Sequence, residues 1–253
     1  MLERLFDRLA NAAPLNADER NEMTTAVGPS QDCAIHETIQ LEGMPLREIG
    51  IVLSGFLCAY KTLADGRRQI LSCLLPGDMF HLQGLFIERG DYGIIALAPS
   101  KLAYLTQGAL RKMICQAGNV MSGLWWTMLV EQSISREWLL NVGKRSGLER
   151  MAHFLCEIAA RGQASGLSRA DVSFLPTTQD DLADILGLSP VHVNRMLQNL
   201  RRDKLIRLKR RRLEILDLSR LQDLGMFDPQ YLHLAEESET CAEHKTRGAA
   251  ILH

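Results

Sequence analysis

The spacing of apolar residues changes character along the chain. Up to about residue 25 it is helical, and Asn16-Ala17-Asp18-Glu19 has the form of a capping box. From about His36 to Leu105 short apolar runs alternate with turn signals. The runs are Ile49–Leu53, Phe56–Tyr60 and Ile70–Leu75; the breaks are Ser54-Gly55, Asp65-Gly66 and Pro76-Gly77-Asp78. Many short strands at this spacing predict a β-sandwich or β-roll. Helical periodicity then returns: Met121, Leu124, Met128, Ser135, Trp138 and Val142 follow a rough three-four spacing, with Trp125, Leu129 and Leu139 beside them. One long amphipathic helix fits. Such a stripe either lies on its own domain or forms a two-fold, coiled-coil-like seam, and its length and tryptophans favour the seam. Another helix spans Leu148 to Arg161, and the region beyond Phe227-Asp228-Pro229 is polar and irregular.

The stretch from Gln179 to Leu197 has the pattern of two helices crossing at a tight turn. Ala183 is the small residue where the helices touch, and Gly187 tolerates the left-handed backbone of the turn. Leu182, Leu186, Leu188, Val193 and Met196 fill the angle between the helices. Ser189 caps the second helix and Pro190 suits its first position. With Val193, Met196, Leu197 and Leu200 inward, Val191, His192, Asn194, Arg195, Gln198 and Asn199 face out, a polar face of the kind that reads a major groove. Next come two short strands, Leu205–Leu208 and Leu213–Leu216, with Lys209-Arg210-Arg211-Arg212 as their turn, a basic wing suited to phosphates.

Charge strengthens this reading. Residues 195–212 hold nine Lys or Arg and one Asp, a net +8 in a chain whose total is −1. A concentrated positive patch on an otherwise acidic protein points to a polyanion. Apolar content of 46% is ordinary for a globular protein, and no apolar run approaches the ~20 residues of a membrane span. The first eight residues carry acids and no secretory apolar core, so a cytoplasmic location without membrane attachment is expected. The six cysteines contain no C-x-x-C pair and the histidines no metal-ligand spacing, so reduced thiols and no metal are expected. No nucleophile elbow or phosphate loop is present, and no catalytic residues are assigned.

Taken together, the chain resembles the cyclic AMP receptor protein (CRP/FNR) family over most of its length. The resemblance is carried by Leu53-Ser54-Gly55-Phe56, Asp65-Gly66-Arg67-Arg68-Gln69-Ile70-Leu71 and Leu75-Pro76-Gly77-Asp78, by the long helix, and by the helix-turn-helix with its wing. It implies an α+β protein with an N-terminal double-stranded β-roll, a long dimerisation helix and a C-terminal winged helix-turn-helix. The expected segments are an effector-sensing domain at 1–117, the dimerisation helix at 118–145, the DNA-binding domain at 146–234 and a flexible tail at 235–253. A homodimer on a palindromic DNA site, regulated allosterically through the roll and acting on RNA polymerase, is implied. The DNA-facing set is Thr178, Gln179, Ser189, Pro190, Val191, His192, Asn194, Arg195, Asn199, Arg201, Arg202, Lys209, Arg210 and Arg211. The family's base-contacting places fall on Pro190, Val191 and Arg195, and only Arg195 keeps the usual arginine. The dimer seam is Met121, Leu124, Trp125, Met128, Ser135, Trp138 and Val142.

The effector pocket departs from the family. His81 and Leu82 stand where cyclic-nucleotide binders carry Gly and Glu, and Asp91-Tyr92-Gly93 offers no phosphate-binding arginine, although Arg89 is near. Cyclic AMP is therefore not expected. The pocket residues, Phe80, His81, Leu82, Gln83, Leu85, Arg89, Tyr92 and Ser135, suit a neutral, apolar or aromatic effector of unknown identity. An iron–sulfur cluster is opposed by the lack of N-terminal cysteines; only Cys33 precedes the roll. His81 is the one candidate haem ligand, but a lone histidine is more often a packing residue. The alternative function is a cyclic-nucleotide-binding-like regulatory subunit without DNA binding, which the helix-turn-helix and the +8 segment oppose.

Overall fold

A computed structural model describes residues 2–167, 172–209 and 211–234. Two short helices, α1 (Glu3–Leu9) and α2 (Ala17–Ala26), precede the roll. They are separate because Pro14 interrupts the first helical pattern; Asn16 restarts it through the expected capping box with Glu19. The roll contains β1 (Gln31–Cys33), β2 (Thr38–Gln40), β3 (Glu48–Ser54), β4 (Leu57–Thr62), β5 (Arg68–Leu74), β6 (Met79–Phe80), β7 (Gly93–Ala96) and β8 (Ser100–Thr106). These form two antiparallel sheets, ordered β1-β8-β3-β6 and β2-β7-β4-β5. Glycine is required at two places. Gly55 turns β3 into β4 at φ +100°, and a Cβ on Gly50 would stand inside the Phe80 ring.

Helix α3 (Gln107–Gln116) leads to α4 (Gly118–Lys144), the long helix, and α5 (Gly147–Ala164) opens the C-terminal domain. There α6 (Gln179–Leu186) and α7 (Pro190–Arg202) are followed by β10 (Ile206–Lys209), β11 (Arg212–Ile215) and α8 (Leu218–Gly225). The short strand β9 (Val172–Phe174) pairs with β11. The wing differs slightly from expectation: Lys209 and Arg212 are cross-strand partners, so both belong to the strands and not to the turn. Arg211 takes the left-handed backbone there, at φ +63°. Arg210, Cys241 and the 235–253 tail lie outside the described residues.

One apolar core crosses the segment boundaries. It runs from Phe56, Ile70 and Leu97 in the roll, through Val130, Ile134 and Trp138 of α4, to Phe154, Leu186 and Leu197. Such continuity makes the placement of α6 and α7 dependent on the roll. No helix among the described residues is long and apolar enough to cross a membrane.

Candidate nucleic-acid interface

The turn between α6 and α7 is built as its sequence requires. Thr178 caps α6 and shares a capping box with Asp181; Gly187 adopts φ +61°, ψ +41° and ends the helix. Ser189 caps α7, accepting from His192 N, and Pro190 occupies the first turn. The buried side of α7 is Val193, Met196, Leu197 and Leu200. Ser189, Pro190, Val191, His192, Asn194, Arg195 and Gln198 are exposed, Asn199 and Arg201 half-buried. Val191 is 79% exposed, an apolar side chain left without a partner in the subunit. Two of these residues are already positioned: His192 Nδ1 lies 2.9 Å from Ser189 Oγ, and Asn194 Nδ2 donates to Gln179 Oε1 at 3.2 Å. Around α7 the basic residues divide. Arg202 pairs with Asp203 and Arg207 with Glu214 across the wing, whereas Arg195, Lys209 and Arg211 have no acidic partner among the described residues. Arg201, Lys204 and Arg212 likewise have no acidic partner among the described residues, so most of the basic charge around α7 and the wing is uncompensated.

The long helix sorts the seam residues. Met121, Trp125, Met128, Ser135 and Val142 are exposed, and Gln132 and the 76% exposed Leu139 join the same line. Leu124 and Trp138 are corrected: both are buried inside the subunit. Leu124 packs with Leu9 and Val120, and Trp138 packs against Phe154 with its Nε1 donating to Glu157 at 3.0 Å. A three-four count alone did not separate the stripe facing the subunit from the stripe facing away.

The effector pocket also changes. A cavity of about 240 Å³ lies between the roll and α4, and Phe80, Tyr92 and Ser135 line it. Leu82 and Leu85 belong instead to the core beneath α1, and Arg89 is exposed, donating to Gly43 O at 2.9 Å. His81 packs between Phe80 and Tyr92 outside the lining, and Gln83 accepts from Tyr92 Oη at 3.3 Å. His81 has φ +64°, a left-handed backbone that explains why the related pattern carries glycine there. The lining is not neutral: Arg8, Asp78, Glu131 and Arg161 form one wall. Asp78 pairs with Arg8 at 2.7 Å and Arg161 at 3.1 Å, and Arg161 also binds Glu157 at 3.2 Å. Arg8 sits on an N-terminal helix and Arg161 more than eighty residues after the roll's turn, so no local motif announced them.

A polar two-helix reader beside a basic wing, joined to a β-roll by a long helix, defines a helix-turn-helix regulator with a sensory-type domain. Comparison with known proteins agrees. Residues 149–224 match the family model of the Crp-like helix-turn-helix domain, and residues 31–116 that of the cyclic nucleotide-binding domain. The transcriptional activator protein FnrL of Cereibacter sphaeroides is 30% identical over 189 residues, 73% of this chain and 75% of that protein. The nitrogen fixation regulation protein FixK of Azorhizobium caulinodans is 26% identical over 231 residues, 85% and 92% of the two chains. The structure of FixK2 from Bradyrhizobium japonicum superposes with a TM-score of 0.71 at 27% identity, covering 78% of this chain and 96% of that one. The chain belongs to the CRP/FNR family of transcription regulators, and it is a DNA-binding protein of that type.

Proposed function

We propose that the protein works as a homodimer that lays α7 of each subunit into successive major grooves of a palindromic DNA site. The observation that carries this reading is the exposed stripe of α4, Met121, Trp125, Met128, Leu139 and Val142, on the helix that leads into the helix-turn-helix. A two-fold axis along that stripe sets both recognition helices on one side of the dimer. Arg195 is the base reader, suited to a bidentate contact with guanine, and Val191 meets a thymine methyl. Thr178, Gln179, Arg201, Arg202, Lys209 and Arg211 hold phosphates, which add affinity without sequence choice. No side chain is assigned a catalytic role.

The roll is the controlling domain, and its hold on α6 is the route of control. Cyclic AMP does not fit the cleft, because both arginines that line it are already paired with acids and a cyclic phosphate would face Asp78 and Glu131. The relatives' names include a transcriptional activator, which favours contact with RNA polymerase in the cytoplasm over simple blocking of a promoter. A salt-dependent gel shift on genomic fragments, with the number of chains per duplex measured, tests the reading. Two chains per shifted duplex are expected, and one chain per duplex contradicts the dimer.

A further inference from the structure

The exposed positions of α4 fall into a heptad. Met121, Met128, Ser135 and Val142 occupy one core place, and Trp125, Gln132 and Leu139 the other. That register puts Glu131 and Arg136 on opposite edges of the seam, five residues apart. At this spacing, charges of two parallel helices meet across a coiled-coil core. Parallel helices are required here, because α4 ends at the DNA-binding domain and both domains must face one duplex.

Glu131 belongs to an unbalanced cluster. Arg8 and Arg161 stand against Asp78, Glu157 and Glu131, an excess of one acid. The Arg8 guanidinium is drawn to Asp78 at 2.7 Å and reaches Glu131 only at 4.0 Å. Glu131 Oε1 is buried and accepts no hydrogen bond among the described residues. Arg136, by contrast, is exposed and among the described residues donates only to Ser133 Oγ, at 2.9 Å. Glu131 and the exposed Ser135 both line the cleft beside the roll, so the cleft reaches the seam.

We propose that in the dimer the partner subunit's Arg136 pairs with Glu131, twice by symmetry, and completes a charged cluster that one subunit leaves unbalanced. The proposal rests on the two-fold reading above. It ties the wall of the roll cleft to assembly, so that disturbing the cleft changes dimer strength. Burial raises the Glu131 carboxyl to about 7, and Asp78 adds to the rise, while Arg8 and Arg161 oppose it. Tyr92, in the same cleft, also faces Glu131. A new arginine lowers that value, so the dimer binds fewer protons than two subunits; it tightens as pH rises toward about 7 and levels off above it.

Sedimentation equilibrium on the full chain tests this with Arg136→Gln, Glu131→Gln and the double variant, circular dichroism confirming the fold. Arg136→Gln is expected to raise the dimer Kd about tenfold in the native background, the scale of two partly exposed ion pairs, and less than about twofold beside Glu131→Gln. Arg136→Lys is expected to keep most of the affinity. Should Glu131→Gln not fold, the surface variant alone decides: Arg136→Gln is expected to flatten the pH dependence of the Kd. Equal weakening in both backgrounds, or an unchanged pH dependence in Arg136→Gln, overturns the pairing. A native chain that stays monomeric at micromolar concentration overturns the dimer reading itself.

Discussion

Arg68 of β5 places its Nε 2.7 Å from Asp184 of α6, so the roll grips the first helix of the helix-turn-helix within one subunit. Its Nη2 reaches Asp181 at 3.2 Å, and the neighbouring Gln69 donates to Asp184 O at 2.7 Å. Asp181 is also the acid of the α6 capping box, so one carboxylate both starts the helix and ties it to the roll. Arg68→Ala is expected to cost ~1–3 kcal/mol, because it leaves the buried Asp181 short of a donor. It is also expected to change DNA affinity although Arg68 lies off the reading face. Denaturant unfolding and a DNA titration measure the two effects.

The two stripes of α4 are expected to respond differently. Met128→Lys places a charge in the seam and should give folded monomers by light scattering. Trp138→Ala instead removes a core side chain and the Nε1 donor of the fully buried Glu157. It should destabilise the fold by ~3–5 kcal/mol, read by thermal or denaturant unfolding.

Arg195 and Arg211 should separate specificity from affinity. Arg195→Ala is expected to cost about 1–3 kcal/mol on the cognate site and to relax base preference there. Arg211→Ala is expected to weaken all sequences alike and to flatten the salt dependence by about one unit per lost phosphate contact. Binding isotherms at several salt concentrations on specific and random duplexes distinguish them.

His81 makes stability depend on pH. Burial lowers its imidazole to about 4, while the unfolded chain titrates at the ordinary value near 6.5. Between these values the unfolded state binds more protons, so stability falls as pH drops through about 6.5 and levels off near 4. By pH 5 the loss from this group is about 2 kcal/mol. His81→Asn keeps a residue tolerant of the left-handed backbone and should remove this part of the acid sensitivity, measured by denaturant melts across pH.

Much of this was legible in the sequence because it depends on local chemistry. The left-handed Gly187, the cap at Ser189 and the four-residue buried face of α7 all follow from nearest neighbours along the chain. The first strand of the wing was found to within a residue, and the pairing of Lys209 with Arg212 only shortened its turn. What was not legible depends on packing between distant segments. Leu124 and Trp138 have the periodicity of the seam, and only the neighbouring α1 and α5 show that they turn inward. The cleft was read as neutral because Arg8 and Arg161 come from helices far apart in the chain. Arg89, close in sequence, bonds to a backbone carbonyl at the outer edge of the roll instead.

Selection of binding sites from random duplex DNA by the native chain tests the central claim most directly. The account predicts an inverted repeat with half-site centres about one helical turn, ~10 base pairs, apart. Two chains should bind each recovered duplex, and the preference at one base pair of each half-site should be lost in Arg195→Ala. Recovery of no preferred sequence, or of an unrepeated sequence bound by one chain, would contradict it.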